Sequence, residues 1–467
     1  MSTETADSSQ STELRRVMGP KLLLLFIIGD ILGTGVYALT GQVAAEVGGA
    51  AWLPFLVAFI VATLTAFSYL ELVTKYPQAA GAALYVHKAF GVHFFTFIVA
   101  FAVMSSGITS ASTASRAFAS NLALGLGWEV SNTAIMFIAL GFMALVMAIN
   151  LRGVGESVKT NVVLTMIELT GLVLVILVGI WAISGGDADF SRVNAFNTPE
   201  DKSIFLAVTT ATSLAFFAMV GFEDSVNMAE ECKDPPGIFP KMMLTGLGVT
   251  GLIYVLVSIC AVALVPVGDL AASDTPLTLV VERGAPDVPI GDIFPFISMV
   301  AVANSALINM MMASRLLYGM GKQGVIPRSL SKVHPKNRTP WVSILFTTAL
   351  AFALIAYVSY ASEDAIAVLG GTTALLLLGV FAVVNIAVLV LRRDPVEHDH
   401  FRTNTVIALL GAAACLYLVT PLSGRDGEQY QVAGLLLLVG LILSLPVYLY
   451  RRAQGEDVAI DDTDKLV

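Results

Sequence analysis

About twelve stretches of apolar sequence, each roughly 18–30 residues long, follow one another with only short polar connections, and that length crosses a hydrocarbon core of about 30 Å as a helix. The expected spans are 21–44, 51–75, 90–124, 132–150, 159–184, 203–229, 241–267, 289–321, 340–359, 364–391, 405–422 and 431–451. Residues are 56% hydrophobic and only 13% charged, which excludes a soluble globular domain and a peripheral protein. Spans 3 and 8 exceed the core thickness and are expected to tilt or protrude.

Lysine and arginine orient the bundle. About twenty of them fall in the amino-terminal segment, the carboxy-terminal segment and the turns 2–3, 4–5, 6–7, 8–9 and 10–11, whereas the other side carries Arg192, Lys202, Arg283 and Arg425. The bias places both termini in the cytoplasm, with the protein multi-pass in the plasma (inner) membrane. Residues 1–20 read as a disordered cytosolic tail and not a signal peptide, and 453–467 as a second, acidic tail. The net charge of −9 resides mainly in tails and outer loops. Cys232, Cys260 and Cys415 are isolated and suggest neither disulfide nor metal site. No cofactor and no nucleic-acid partner are expected; the lipid bilayer is one partner and a small molecule another.

Two spans are interrupted. The first contains "GDILGTGVYALTG" at 29–41, with glycines that weaken a helix by roughly 1 kcal/mol each relative to alanine. The sixth reaches Gly221, Glu223 and Asp224 at a similar depth. These are the first spans of two consecutive groups of five, so the second group starts from the opposite side of the membrane. Matching interruptions in two halves mark the site of an inverted-repeat transporter. Unwound backbone inside a membrane must line a cavity or bind something. The freed N–H groups of Gly33, Thr34 and Gly35 open a half-helix, where a carboxylate is favoured. Carbonyls around Ala218 and Val220 can accept bonds from an ammonium. A zwitterion of amino-acid type suits both poles, while close helix packing is the plainer role for the glycines.

These residues resemble the amino acid–polyamine–organocation permeases over most of 20–402. The motifs are "GTGVY" at 33–37, "SYLELVTKYPQAAGAALYVHKAFG" at 68–91, "LRGVGESVKTN" at 151–161, "FFAMVGFEDSVNMAEECKDPPGIFP" at 216–240 and "NSALINMMMASRLLYGMGKQGVIPRSLSKVHPKNRTP" at 304–340. The resemblance implies an all-α polytopic membrane protein of twelve transmembrane helices. In it a 5+5 inverted repeat of LeuT type (core 21–403) is followed by two further helices (404–452). It implies secondary active transport of amino acids or related amines, with no chemistry on the substrate. By resemblance, Gly33, Thr34 and Gly35 meet the substrate carboxylate, and the carbonyls of Phe217, Ala218 and Val220, beside Gly221, face the amino group. Phe217 is then a gating aromatic and Glu223 a proton- or substrate-linked acid. The chain departs from the family at Glu168, where proton-coupled relatives often carry lysine, and at Asp224, where a small or neutral residue is usual.

Asp30, Glu168, Glu223 and Asp224 lie inside expected spans, and an intramembrane acid faces a cavity or a partner. Glu223 is the first candidate for proton coupling, with Glu168 and Asp30 as alternatives. A sodium site would use oxygens at Gly29, Leu32 and Ser305, with Asn304 beside them; four available acids favour the proton. Glu71, Glu230 and Glu231 sit near helix ends and suggest snorkelling or a gate-forming salt bridge, and Arg116 and Arg315 suggest snorkelling or pairing with a loop carboxylate. In "SSGITSASTAS", small residues suit helix packing, with Ser105, Thr109 or Ser112 as possible substrate contacts. No HExxH or GxSxG motif points to an intramembrane hydrolase. A polyamine or cationic amine transporter, an amino acid exchanger, a channel and a non-transporting amino acid sensor are the competing readings.

Overall fold

A computed structural model describes residues 18–453 apart from 79–80, 154–157, 187, 201 and 363. The expected tails at 1–17 and 454–467 lie outside the described residues. Span 1 is Pro20–Ile31 followed by Thr34–Val47; span 2 is Trp52–Lys75, span 3 His93–Gly125, span 4 Asn132–Arg152 and span 5 Val158–Gly185. Span 6 begins as Ile204–Ala215, and spans 7 to 10 are Pro235–Leu264, Ile290–Lys322, Trp341–Ala361 and Ala365–Leu391. Spans 11 and 12 are Thr405–Val419 and Gly427–Ala453. Among the described residues, eleven spans are long and apolar enough to cross a membrane, and span 11 is a shorter apolar helix. Among the described residues the only extended pairings are two isolated bridges.

Local chemistry sets the boundaries. Pro20 and Pro235 start helices where a missing N–H costs nothing, and Ser131, Ser203, Asp234 and Asn404 accept bonds from first-turn amides. Gly153 ends span 4 in the left-handed region, at φ 71°.

The packing has internal symmetry. Span 2 packs on 7, 3 on 8 and 4 on 9. Span 1 meets 5 and 7 as span 6 meets 10 and 2, and span 5 meets 7 and 8 as span 10 meets 2 and 3. Adding five to each number of the first group therefore maps these pairings onto those of the second. An odd group of five reverses direction, so the repeat is inverted. Spans 11 and 12 flank spans 2, 3 and 10.

Two connections differ from the sequence expectation. The 2–3 connection holds a helix, Gly81–Phe90, that packs on spans 3 and 10. The 268–288 loop contains the helices Val267–Ala271 and Pro276–Gly284.

On the basic face, which carries the even-to-odd turns from 2–3 onward as well as Met18, Glu71 of span 2 accepts two bonds from Arg392, at 2.9 Å each, and one from the Thr403 amide. Tyr76 donates to Asp394 and the Phe401 amide to Thr74, so the 10–11 loop lies clamped across the end of span 2. The Glu71 carboxylate holds the Arg392 guanidinium above its usual range. Met18 is stitched to the 6–7 turn: its N–H donates to Glu231 O and its own carbonyl accepts from the Lys233 amide. The Glu230 side chain lies outside the described set.

Arg116 does not snorkel. It is buried and donates to Asn132 of span 4 and Ser359 of span 9, because span 3 runs through the middle of the bundle. Arg315 is exposed, as a snorkelling residue should be. Arg425 is also buried, and its guanidinium reaches Leu418 O, Gly371 O, Ser213 O and Gln429 Oε1. It ties the 11–12 turn to spans 6 and 10. Beside it, a polar cavity of about 240 Å³ opens near the Glu46–Lys202 ion pair.

Candidate functional site

Span 1 breaks where the glycines stand. Leu32 donates to Ile28 O and closes the first half; Gly33, at φ −60° and ψ −149°, turns the chain out, and Thr34 starts the second half. No side chain caps that half-helix. The first amides of a helix have no partner inside it, and here they open onto a buried cavity. Thr34 Oγ1, also on the cavity wall, is buried without a hydrogen-bond partner.

Span 6 breaks differently. Its α-helix ends at Ala215 and tightens into a 3₁₀ turn, Phe216–Met219; Val220 is extended and Gly221 adopts φ +119°, a conformation suited only to glycine. The chain leaves as a 3₁₀ segment, Asp224–Glu231, and not as a second α-helical half. Phe217 O accepts from the Val220 amide and Gly221 O from the Asp224 amide, while the Gly221 amide donates to Glu223 Oε2 at 2.8 Å.

The breaks press on each other through glycine. A Cβ on Gly35 would stand 2.7 Å from Ala218 N, and one on Gly221 2.7 Å from Asp30 O. Between them lies a cavity of about 20 Å³, room for about one water. Gly33, Thr34, Gly35, Phe217, Val220 and Gly221 all line it, as does Asp30. Ala218 instead supplies the backbone surface on which Gly35 rests.

A second cavity, of about 50 Å³, adjoins the first, and Val220, Asp224 and Asn309 wall both. Glu223 and Tyr69 line only the second. Glu168 lines neither: it is fully buried in span 5, where Asn304 donates to its carboxylate at 3.1 Å and Tyr37 to its backbone carbonyl. Ser305 reaches the first cavity against Gly33; Gly29 packs on Thr165 of span 5, and the Leu32 amide, as distinct from its carbonyl, closes the first half-helix.

Of the span 3 hydroxyls, Ser106 and Ser110 reach the cavities. Thr109 is spent on Thr373 of span 10, Ser112 bonds its own helix, and Ser105 is buried away from both cavities. Asn309, like Tyr69, Ser106 and Ser110, lines the cavities without being singled out by the sequence. It stands four residues after Ser305, on the same helix face, and that spacing was the signal available.

A family model described as amino acid permease matches residues 20–442. The chain is similar to the branched-chain amino acid permease BcaP of Bacillus subtilis, at 28% identity over 97% of this chain and 96% of that protein. It is 26% identical to the methylthioribose transporter of the same organism, over 89% and 90% respectively. Cationic amino acid transporter 9, chloroplastic, of Arabidopsis thaliana is 29% identical over 72% of this chain and 60% of its own length.

Proposed function

The chain belongs to the amino acid permease family, and from that premise we propose that it is a proton-coupled secondary transporter carrying an amino acid across the plasma membrane by alternating access around spans 1 and 6. It is a transporter and not an enzyme. The observation that carries the reading is the meeting of two breaks on one buried cavity. One wall supplies the amides of Gly33, Thr34 and Gly35 at a helix start, suited to a carboxylate. The other supplies the bent backbone of Phe217 to Gly221, suited to an ammonium. At about 20 Å³ the cavity is too small for an amino acid, so binding requires the broken segments to move apart. Phe217 roofs the cavity and packs on span 10 beside Gly370, a position from which it gates entry.

Residues 21–403 form the transporting core, with 404–452 as accessory helices, and the basic face is cytoplasmic, in keeping with the positive-inside bias. Glu223 carries the proton: its carboxylate accepts directly from the Gly221 amide of the unwound backbone. Protonation would weaken that bond and loosen the break, which links proton and conformation.

In proteoliposomes an inward proton gradient should drive accumulation, and Glu223→Gln should abolish that accumulation while leaving counterflow exchange. Uptake that needs sodium and ignores the pH gradient would refute the proton assignment. Saturable counterflow separates the transporter from a channel, and binding without any flux would identify a sensor.

A further inference from the structure

The acid that stands out is Asp224. Glu223 beside it is engaged by the Gly221 amide, but the Asp224 carboxylate has no hydrogen bond and no ion-pair partner within 4 Å among the described residues. It walls both cavities, and no lysine, arginine or histidine lines either of them. Two carboxylates facing one chamber in the membrane interior, without a cation in its walls, make a place that a positive group stabilises. Two residues that wall the same space carry further unpaired polar groups. Thr34 Oγ1 in the first cavity and Tyr69 Oη in the second belong to residues 2% and 1% exposed, and neither atom has a hydrogen-bond partner. Buried polar atoms of this kind find their partners in a ligand or water.

We propose that Asp224 sets substrate preference by binding a second positive charge on the substrate's side chain, so that dibasic amino acids are favoured over neutral ones of equal length. The inference rests on the amino-acid site described under the proposed function and deepens it. The α-carboxylate and α-amino group sit between the breaks. The side chain runs past Val220 and Asn309, which wall both cavities, and its terminal ammonium or guanidinium meets Asp224, with Tyr69 Oη below. A diamine lacking the carboxylate would leave the Gly33 to Gly35 amides unmet, and a neutral side chain would leave Asp224 unpaired. Both lose to a dibasic amino acid.

The test uses the full chain in liposomes and compares competition by lysine, by norleucine, which is lysine without its terminal amine, and by cadaverine, which is lysine without its carboxylate. In the wild type, lysine should compete at least about tenfold better than either. Asp224→Asn should reduce the lysine-to-norleucine ratio about tenfold or more, and Asp224→Glu should keep most of it. Norleucine matching or exceeding lysine in the wild type would overturn the inference without help from any variant, as would an unchanged ratio in Asp224→Asn. Binding of norleucine but not lysine sinks this inference alone. Binding of neither amino acid sinks the amino-acid reading of the site as well.

Discussion

Placing a single methyl group at Gly35 and at Gly33 should give unequal losses, although the two glycines lie only two residues apart. At Gly35 the new Cβ would meet Ala218 N at 2.7 Å and Ala218 Cβ at 2.8 Å. Ala218 Cα would be closer still, and since ordinary contact begins near 3.4 Å the broken segments must separate by more than about 0.7 Å, with backbone as the obstacle on both sides. Overpacking of this kind costs about 1–3 kcal/mol. Here the strain falls on the crossing that brings the amides of span 1 opposite the kinked backbone of span 6. Gly35→Ala should therefore weaken amino-acid binding by about tenfold or more, since about 1.4 kcal/mol is a factor of ten. At Gly33 the new Cβ would meet Ser305 Oγ, the end of a side chain that can rotate, and no backbone atom nearer than Asp30 O at 3.8 Å. Gly33→Ala should cost less, and Gly33→Ala/Ser305→Ala should recover most of the loss. Equilibrium binding to the detergent-solubilised protein, with size-exclusion profiles to verify its integrity, measures all three. Wild-type affinity in Gly35→Ala, or a Gly33→Ala defect that Ser305→Ala leaves in place, would refute the reasoning.

Three further outcomes follow from the packing. Glu71→Ala strands Arg392, whose side chain is only 15% exposed, and removes the acceptor of the Thr403 amide; the expected loss is about 3–5 kcal/mol, read by denaturation in bicelles. A double-mutant cycle with Arg392→Ala should show strong coupling, and additivity would dismiss the clamp. Phe217→Ala should slow transport about tenfold while shifting equilibrium affinity much less, because a lid acts on occlusion; equal losses in both would deny it that role. Burial, with His93 and Lys88 nearby, pushes the His87 imidazole below its usual range. Its contribution to stability is thus full above the unfolded value near 6.5 and is lost as the pH falls through the folded one. Hydrogen-exchange protection of Gly81–Phe90, corrected for intrinsic rates, should be steady above about pH 6.5 and drop as the pH falls below it, and His87→Gln should flatten that dependence.

The spans were legible because apolar length is a direct physical requirement of the bilayer, and the breaks because glycine has few other reasons to cluster in mid-membrane. Where the sequence misled, the partner was remote. Gly81–Phe90 is too short to announce itself by periodicity, and spans 3 and 10 hold it in place. Arg116 looked like a residue near a helix end, yet its partners Asn132 and Ser359 come from spans 4 and 9. The four oxygens that satisfy Arg425 come from spans 6, 10, 11 and 12, and no local spacing encodes them. At the site itself, Gly33 to Gly35 and Phe217 to Gly221 were found by their odd composition. Glu168 drew attention as an intramembrane acid, and its engagement with Asn304 could be seen only once spans 5 and 8 were side by side.

The stitch between Met18 and the 6–7 turn bears on how the chain is made. The first half of span 1 has 12 residues, about 18 Å of helix, against a hydrocarbon core of about 30 Å. During synthesis it enters the bilayer with the glycine break already in it, while its lateral neighbours, spans 5 and 7, and its anchor at Glu231 and Lys233 have yet to leave the ribosome. The half-helix therefore waits through more than two hundred residues of translation before the strand-like pairing that fixes its end can form. Its final seat is a late event of assembly, although its residues emerge early.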